Sequence, residues 1–424
     1  MGVMDREFDL VLVGATGFVG RLTAAHLAAA APPTVRIALA GRSAERLEGL
    51  RQELPPVARD WPLVTVDVTE PAAAADLAAR ATAVATTVGP YSRYGFPLVA
   101  ACADAGTHYA DLTGEVLFVR RTVEELHERA RMTGARIVHA CGFDSVPSDL
   151  GVWLTAEHAR ADGAGGLTDT VLVVRRLRGG LSGGTIDSMR QQVIAARGDT
   201  AAREVLADRQ ALSGPGDHGT TGSGDPARPA GARHTAKARG RAFGPLRQDP
   251  TTGRWRVPFF MGGFNGPIVR RSHALADGGY GAGFRYRELQ DTGRGLRGAL
   301  RGGATLATLG AVGTGFAFGP TRAVLDRLLP APGEGPPPEQ RARGAFAMEV
   351  TAGTESGTRY RTTVSAELDP GYEGTAVMLG QSALALAAGE GAGAGVLTPS
   401  QALGGALVER LRAHAFTLEV RQDS

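Results

Sequence analysis

Seven residues, Gly14-Ala15-Thr16-Gly17-Phe18-Val19-Gly20, constrain this chain more than any other stretch. They follow a short apolar run, residues 8–13, and open an Ala/Leu-rich run, residues 18–30, that Pro32-Pro33 closes. The first run has the length and composition of a buried parallel strand, and the second predicts a helix. Each glycine answers a separate steric demand. Gly14 permits the tight turn off the strand, Gly17 lets backbone N–H groups approach a ligand, and Gly20 lets the helix lie close on the sheet. The helix N-terminus then offers unpaired amides and a positive dipole end to an anion. Strand, glycine trio and helix in this order form the dinucleotide fingerprint, with the pyrophosphate on residues 14–20 and Thr16 able to add a hydroxyl.

The alternation continues. Residues 35–40, 63–66, 83–88, 108–112 and 136–140 predict strands, separated by helices at 43–54, 71–81, 97–105 and 119–133. Strict strand–helix alternation predicts an α/β fold, a Rossmann doubly wound parallel sheet over residues 1–150. With 424 residues the chain is too long for one core, so a second domain is expected. Beyond residue 150 the pattern changes. A strand is expected at 170–177, a glycine-rich turn at 179–184 and a helix at 185–196. Strand-like runs follow at 255–261, 268–271, 346–356 and 358–367, and residues 372–384 become helical. Residues 213–241 are rich in Gly, Pro, Ser and Arg and predict a mobile loop.

Strand ends indicate the coenzyme. An NAD-binding site usually carries Asp or Glu at the end of the second strand, on the ribose hydroxyls. Here stands Gly41-Arg42-Ser43. Gly41 leaves room, the Arg42 guanidinium can stack on adenine and pair with a 2′-phosphate, and Ser43 can donate a further hydrogen bond. The expected cofactor is therefore NADP(H). Asp67-Val68 ends the third strand and should border the adenine, with Asp67 at the exocyclic amine or capping the following helix. Val88-Gly89-Pro90-Tyr91 ends the fourth, where the nicotinamide ribose lies in such sheets.

Other classes lose support. Net charge is only +3, and no Lys/Arg run is interleaved with aromatics, so no nucleic acid is expected. Two cysteines, Cys102 and Cys141, give neither a disulfide framework nor a zinc set, and no metal site is expected. The N-terminus lacks an apolar secretory core, and the chain reads as cytoplasmic. No Tyr-x-x-x-Lys pair occurs. Residues 302–321 carry no charge and lie between Arg301 and Arg322, with Arg294 and Arg297 nearby. They predict either a buried helix or an element that lies on a membrane surface.

Three long motifs resemble the saccharopine dehydrogenase-like oxidoreductases, and within them the trans-acting enoyl reductase branch. They are Thr87-Val88-Gly89-Pro90-Tyr91, the run from Gly106 to Glu115 (GTHYADLTGE) and the run from His139 to Asp149 (HACGFDSVPSD). Gly183-Gly184-Thr185, Pro332-Gly333-Glu334-Gly335-Pro336, Gly371-Tyr372 and Gly395-Val396-Leu397-Thr398-Pro399 agree. The resemblance implies a mixed α/β, saccharopine reductase-like substrate domain over residues 151–371, with 372–424 a helical segment returning to the first domain. It implies NADPH-dependent reduction of a carbon–carbon double bond in a polyketide or fatty-acyl chain, in lipid or glycolipid biosynthesis. Partner expectations are an acyl-chain or small-molecule substrate, free or bound to a carrier protein, a homodimer, and a peripheral contact at the inner face of the plasma membrane. Tyr91 is the catalytic candidate, because a phenol near the nicotinamide can donate a proton without carrying charge. His108, Asp111, His139, Cys141, Asp144 and Ser145 lie on neighbouring strand ends, where a structural role is expected. Two rivals stand beside this reading. One is saccharopine-type C–N chemistry on an amino acid, with Arg175, Arg176 and Arg178 holding carboxylates. The other is a non-catalytic, membrane-associated NADP-binding protein.

Overall fold

The computed structural model describes residues 6–179, 183–213, 245–317 and 335–423. Among these residues two seven-stranded sheets form. The first is built from β1 (Phe8–Val13), β2 (Ile37–Gly41), β3 (Leu63–Thr65), β4 (Ala81–Thr86), β5 (His108–Asp111) and β6 (Arg136–Val138). Helices α1 (Phe18–Ala30), α2 (Ala44–Glu53), α3 (Pro71–Arg80), α4 (Tyr91–Tyr94), α5 (Phe96–Ala105) and α6 (Val116–Thr133) connect them. The spatial order of these six is β6-β5-β4-β1-β2-β3, with the seventh strand, given below, beyond β6, and every pairing is parallel. This is the doubly wound order, in which the strand sequence reverses between β1 and β4 and opens a crevice at their carboxyl ends. Both faces of β1 are covered. Leu10 and Leu12 enter one core cluster, Phe8, Val11 and Val13 the other, and this is why the run lacks a polar face.

The second half contains α7 (Val146–Ala161), β7 (Leu167–Arg178), α8 (Gly183–Gly198), α9 (Thr200–Ala207), β8 (Arg247–Gln248), β9 (Arg254–Pro258), α10 (Gly262–Leu275) and β10 (Arg285–Arg294). It continues through α11 (Gly295–Ala317), α12 (Pro338–Arg341), β11 (Ala345–Thr354), β12 (Arg359–Ala366), α13 (Glu373–Ala387), β13 (Gly395–Leu397), α14 (Pro399–Arg412) and β14 (Thr417–Asp423). Its sheet runs β14-β12-β11-β7-β10-β9-β8 and is mixed, with β7 and β10 parallel and the other pairs antiparallel. The α/β class and the mixed second sheet match the expectation from sequence.

Two elements differ from it. Residues 268–271 lie inside helix α10, although they read as a strand. Phe264, Ile268 and Ser272 are buried at a spacing of four, a period that a four-residue window cannot display. The C-terminal part is not helical throughout. It adds β13 beside β6 at the edge of the first sheet and β14 beside β12 at the edge of the second. Ahead of both strands in the chain, α13 packs on α1, β4 and β5, and one buried cluster runs from Leu10 and Leu12 through Met378 and Leu379 to Phe346 and Leu418.

Helix α11 takes up most of the uncharged stretch 302–321; its last residues, 318–321, the loop residues 214–241, and motif residues 332–334 lie outside the described residues. One face of α11, including Gly298, Gly302 and Phe316, is buried. Leu296 and Leu300 on another are 76% and 65% exposed. Among the described residues no helix is long and apolar enough to cross a membrane.

Candidate active site

The glycine loop has the geometry its sequence demands. Gly14 lies at φ 78°, a left-handed conformation, and a Cβ there would stand 2.8 Å from Thr87 Oγ1 and Val88 Cγ2. A Cβ on Gly20 would fall 2.2 Å from the Gly14 carbonyl oxygen. Gly17 is different: its Cβ would meet only that same oxygen, at 3.3 Å. Gly14 and Ala15 donate to the Ala40 carbonyl, and Gly17 donates to Gly14. The amides of Thr16, Phe18 and Val19 have no acceptor among the described residues, and Gly17 caps α1 without a side-chain bond. A cradle that rejects a Cβ, with unpaired amides at a helix N-terminus, fits a pyrophosphate.

At the end of β2, Gly41 is buried and Arg42 is exposed with no hydrogen bond among the described residues. Ser43 Oγ accepts from the Arg46 amide and caps α2, which leaves its hydroxyl proton available. Asp67 is exposed and closes a turn, accepting from the Thr69 amide and hydroxyl at 3.0 and 2.7 Å. Those bonds, and more weakly the Arg42 charge, hold its carboxyl below the usual range. Val68 is buried beneath it. Asp67 does not cap the helix that follows, since Glu70 occupies the N-cap of α3.

The loop after β4 is held by a residue that sequence reasoning did not single out. The carboxylate of Glu115, itself buried, accepts from the amides of Tyr91 and Ser92 at 2.8 and 2.9 Å. An acid at the N-terminus of α4 satisfies two donors the short helix leaves open and fixes Gly89-Pro90, whose peptide is cis. The presence of Glu115 in the GTHYADLTGE motif was visible, but its contact 24 residues away was not.

Tyr91 differs from its expected role. Its hydroxyl donates to the Thr86 carbonyl and accepts from the Leu112 amide, each at 3.1 Å. Burial, and then the charge of Asp111, raise its pKa well above the ordinary phenol value. The ring faces the cleft, while the oxygen is committed to the backbone of β4 and of the residue after β5. Tyr91 is thus placed as a wall and a brace.

Neighbouring strand ends are likewise structural. His139 Nδ1 lies 2.8 Å from Asp111 Oδ2 and its Nε2 2.8 Å from Thr122 Oγ1, in a core site with Tyr109. His108 sits at the start of β5, at the opposite end of the sheet, against Arg136. Cys141 is buried, its thiol pushed up by burial, so it stays a thiol. Ser145 Oγ donates to Asn265. Asp144 alone of this group lines the cleft beside the cofactor loop.

That cleft is a cavity of about 270 Å³ between the glycine loop with the loop after β4 and the first turns of α8. Gly17–Val19, Thr87 and Gly89 to Tyr91 form one side, Gly183 to Thr185, Asp187 and Ser188 of α8 with Phe260-Met261 another, and Pro370 to Tyr372 closes it. Its apolar wall includes Leu112, Phe143, Leu177 and Tyr372, and no Lys, Arg or His lines it among the described residues.

Residues 10–138 match the family model of the saccharopine dehydrogenase NADP binding domain. A trans-acting enoyl reductase of Mycobacterium ulcerans is 44% identical over 97% of both chains, and one of Mycobacterium tuberculosis is 43% identical over 97% of both. A second Mycobacterium tuberculosis protein, which carries that name provisionally, is 46% identical over 99% of both. The chain belongs to the saccharopine dehydrogenase-like family, on the branch of the trans-acting enoyl reductases. It is an NADP-dependent oxidoreductase, as Arg42 and the glycine loop had suggested. Its fold is similar to that of yeast saccharopine dehydrogenase (L-Glu forming), with a TM-score of 0.54, 13% identity, and coverage of 98% and 99% of the two chains.

Proposed function

We propose that this protein reduces the carbon–carbon double bond of an enoyl thioester in a polyketide or fatty-acyl chain during lipid assembly. The observation that carries the reading is an apolar cavity that adjoins the phosphate loop and is lined by no cation among the described residues. When bound, NADPH supplies the hydride. Gly17–Val19 would hold its pyrophosphate, Arg42 and Ser43 the 2′-phosphate, Asp67 and Val68 the adenine side, and Val88 to Tyr91 the nicotinamide ribose. The first turn of α8, Gly183-Gly184-Thr185, borders the cavity with the positive end of its dipole, which suits a thioester oxygen gaining enolate charge.

An amino-acid substrate is less well served. Its carboxylates call for guanidinium partners. Arg175 is paired with Asp291 and Glu349, at 2.9 and 2.6 Å, and Arg176 with Glu367, while Arg178 is exposed. The test is NADPH oxidation against long-chain trans-2-enoyl thioesters beside saccharopine-type amino-acid and aldehyde pairs. Turnover confined to the amino-acid pairs would overturn the reading, and tight NADPH binding without any turnover would favour a scaffold.

We propose too that α11 rests on an anionic membrane surface. Exposed Leu296 and Leu300 sit between Arg294, Arg297 and Arg301, and no acidic residue occurs in residues 295–317. Flotation with phosphatidylglycerol vesicles, lost on Arg297→Glu with Arg301→Glu, is the expected result. Equal flotation on neutral vesicles, or none, would contradict it.

A further inference from the structure

Enoyl reduction needs a proton at the α-carbon, and the Tyr91 hydroxyl is bonded to the backbone. We propose that Asp144 is the catalytic acid that delivers this proton. The role rests on the enoyl reduction reading above.

Asp144 lies in the turn, residues 141–145, that joins β6 to α7 and faces the cavity. The turn is fixed on both sides of it. The Cys141 amide donates to the Asp111 carbonyl at 2.7 Å, and the Phe143 amide donates to Thr375 Oγ1 at 3.1 Å. A Cβ on Gly142 would come within 2.8 Å of Leu112 Cδ2, so the chain is pressed against its neighbours there. The Phe143 ring packs edge-on against Phe346 in the core, with centroids 5.0 Å apart. A carboxyl on so rigid a turn has a defined position on the cavity wall.

The other ionisable groups on that wall have partners. Tyr91 is bonded to Thr86 and Leu112, Asp187 pairs with Arg190, and Tyr372 accepts a backbone bond from Gly183. Asp144 makes no hydrogen bond or ion pair among the described residues. Among the described residues no lining cation favours its anion, and Asp187, Tyr91 and Tyr372 offer it no positive charge. Burial raises its carboxyl to about 7, so near neutral pH a large share of it carries the proton it has to give. A carboxyl kept neutral by a poorly solvated site is a recurrent form of general acid.

The step balances. With a hydrogen and two electrons delivered to the β-carbon, the π pair shifts towards the α-carbon and the thioester oxygen. The Asp144 O–H bond breaks, its proton forms the new Cα–H bond, and the electron pair stays on the carboxylate. That carboxylate takes a proton back from water at the cavity mouth.

The test compares Asp144→Asn and Asp144→Glu with wild type on a long-chain trans-2-enoyl N-acetylcysteamine thioester in D2O. Melting temperature and NADPH fluorescence titration are run on each protein. Wild type should place deuterium on one face of the α-carbon and lose kcat above a pH of about 7. Asp144→Asn should melt no lower than wild type and bind NADPH as wild type does, lose about 100-fold or more in kcat, lose that pH dependence, and deuterate both faces. Asp144→Glu should recover part of the rate. An Asn variant with wild-type kcat and a single epimer would overturn the role while leaving enoyl reduction intact. If wild type and variants all bind NADPH yet reduce no thioester, both the reading and the role fall together.

Discussion

The glycine loop predicts a separation of stability from affinity. In Gly20→Ala the new methyl would stand 2.2 Å from the Gly14 oxygen and 2.9 Å from the Ala15 oxygen, where ordinary contact begins at 3.4 Å. Both obstacles are backbone, so α1 must withdraw from the loop by about 1 Å. Overpacking of this kind costs about 1–3 kcal/mol, which should be read as a lowered melting temperature. The same shift carries the Phe18 and Val19 amides beyond hydrogen-bond reach of a phosphate. Each charge-assisted bond lost is worth about 1.5–3 kcal/mol, so Kd for NADPH should rise by about 10- to 150-fold. Gly17→Ala should behave otherwise. Its backbone, at φ −71° and ψ 165°, is ordinary for alanine, and its methyl meets one oxygen at 3.3 Å. The melting temperature should change little, but the methyl stands where the pyrophosphate approaches, and Kd should rise by a similar factor. Differential scanning fluorimetry with a fluorescence titration separates the two effects. A Gly17→Ala protein that binds NADPH as wild type does would refute the placement of the phosphates. A Gly20→Ala protein that melts as wild type does would refute the packing.

Arg42→Ala should weaken NADPH by about 10- to 150-fold through loss of a charge-assisted contact, and leave NADH binding unchanged; parallel titrations that fall equally for both coenzymes would contradict the 2′-phosphate role. Asp144 also predicts a pH-dependent stability. Its carboxyl is raised from 3.8 to about 7, so the folded state holds this proton more tightly than the unfolded state. Stability is therefore lost as pH rises between those values. Asp144→Asn removes the loss and should gain up to about 4 kcal/mol over wild type at a pH above about 7. Melting temperatures of the two proteins should diverge as pH rises from about 4 and run parallel above 7; parallel curves throughout would refute it.

Much of the first domain was legible because its signals are local. The apolar run of β1, the glycines at 14, 17 and 20 and the Ala/Leu face of α1 lie within one short stretch, and each constrains the next. Arg42 was legible for the same reason, as a strand end. Side-chain direction was not. That the Tyr91 hydroxyl turns towards Thr86 and Leu112 depends on α4, on β5 and on Glu115, which no spacing rule connects. The strand β13 has three residues, too few for a period, and is a strand because β6 stands beside it. Asp144 looked like an ordinary turn acid. Its distinction is the lack of a partner among the described residues in a cleft lined by segments far apart in the chain, a property of tertiary structure.

The central claim is reduction of a carbon–carbon double bond, and isotope tracing tests it most directly. Wild type would be given NADPH deuterated at the transferable position with a long-chain trans-2-enoyl thioester together with an amino-acid and aldehyde pair, and the products analysed by mass spectrometry. We predict one deuterium on the β-carbon of a saturated thioester. An unreduced thioester, with the deuterium instead on the new C–N carbon of a saccharopine-type product, would contradict it.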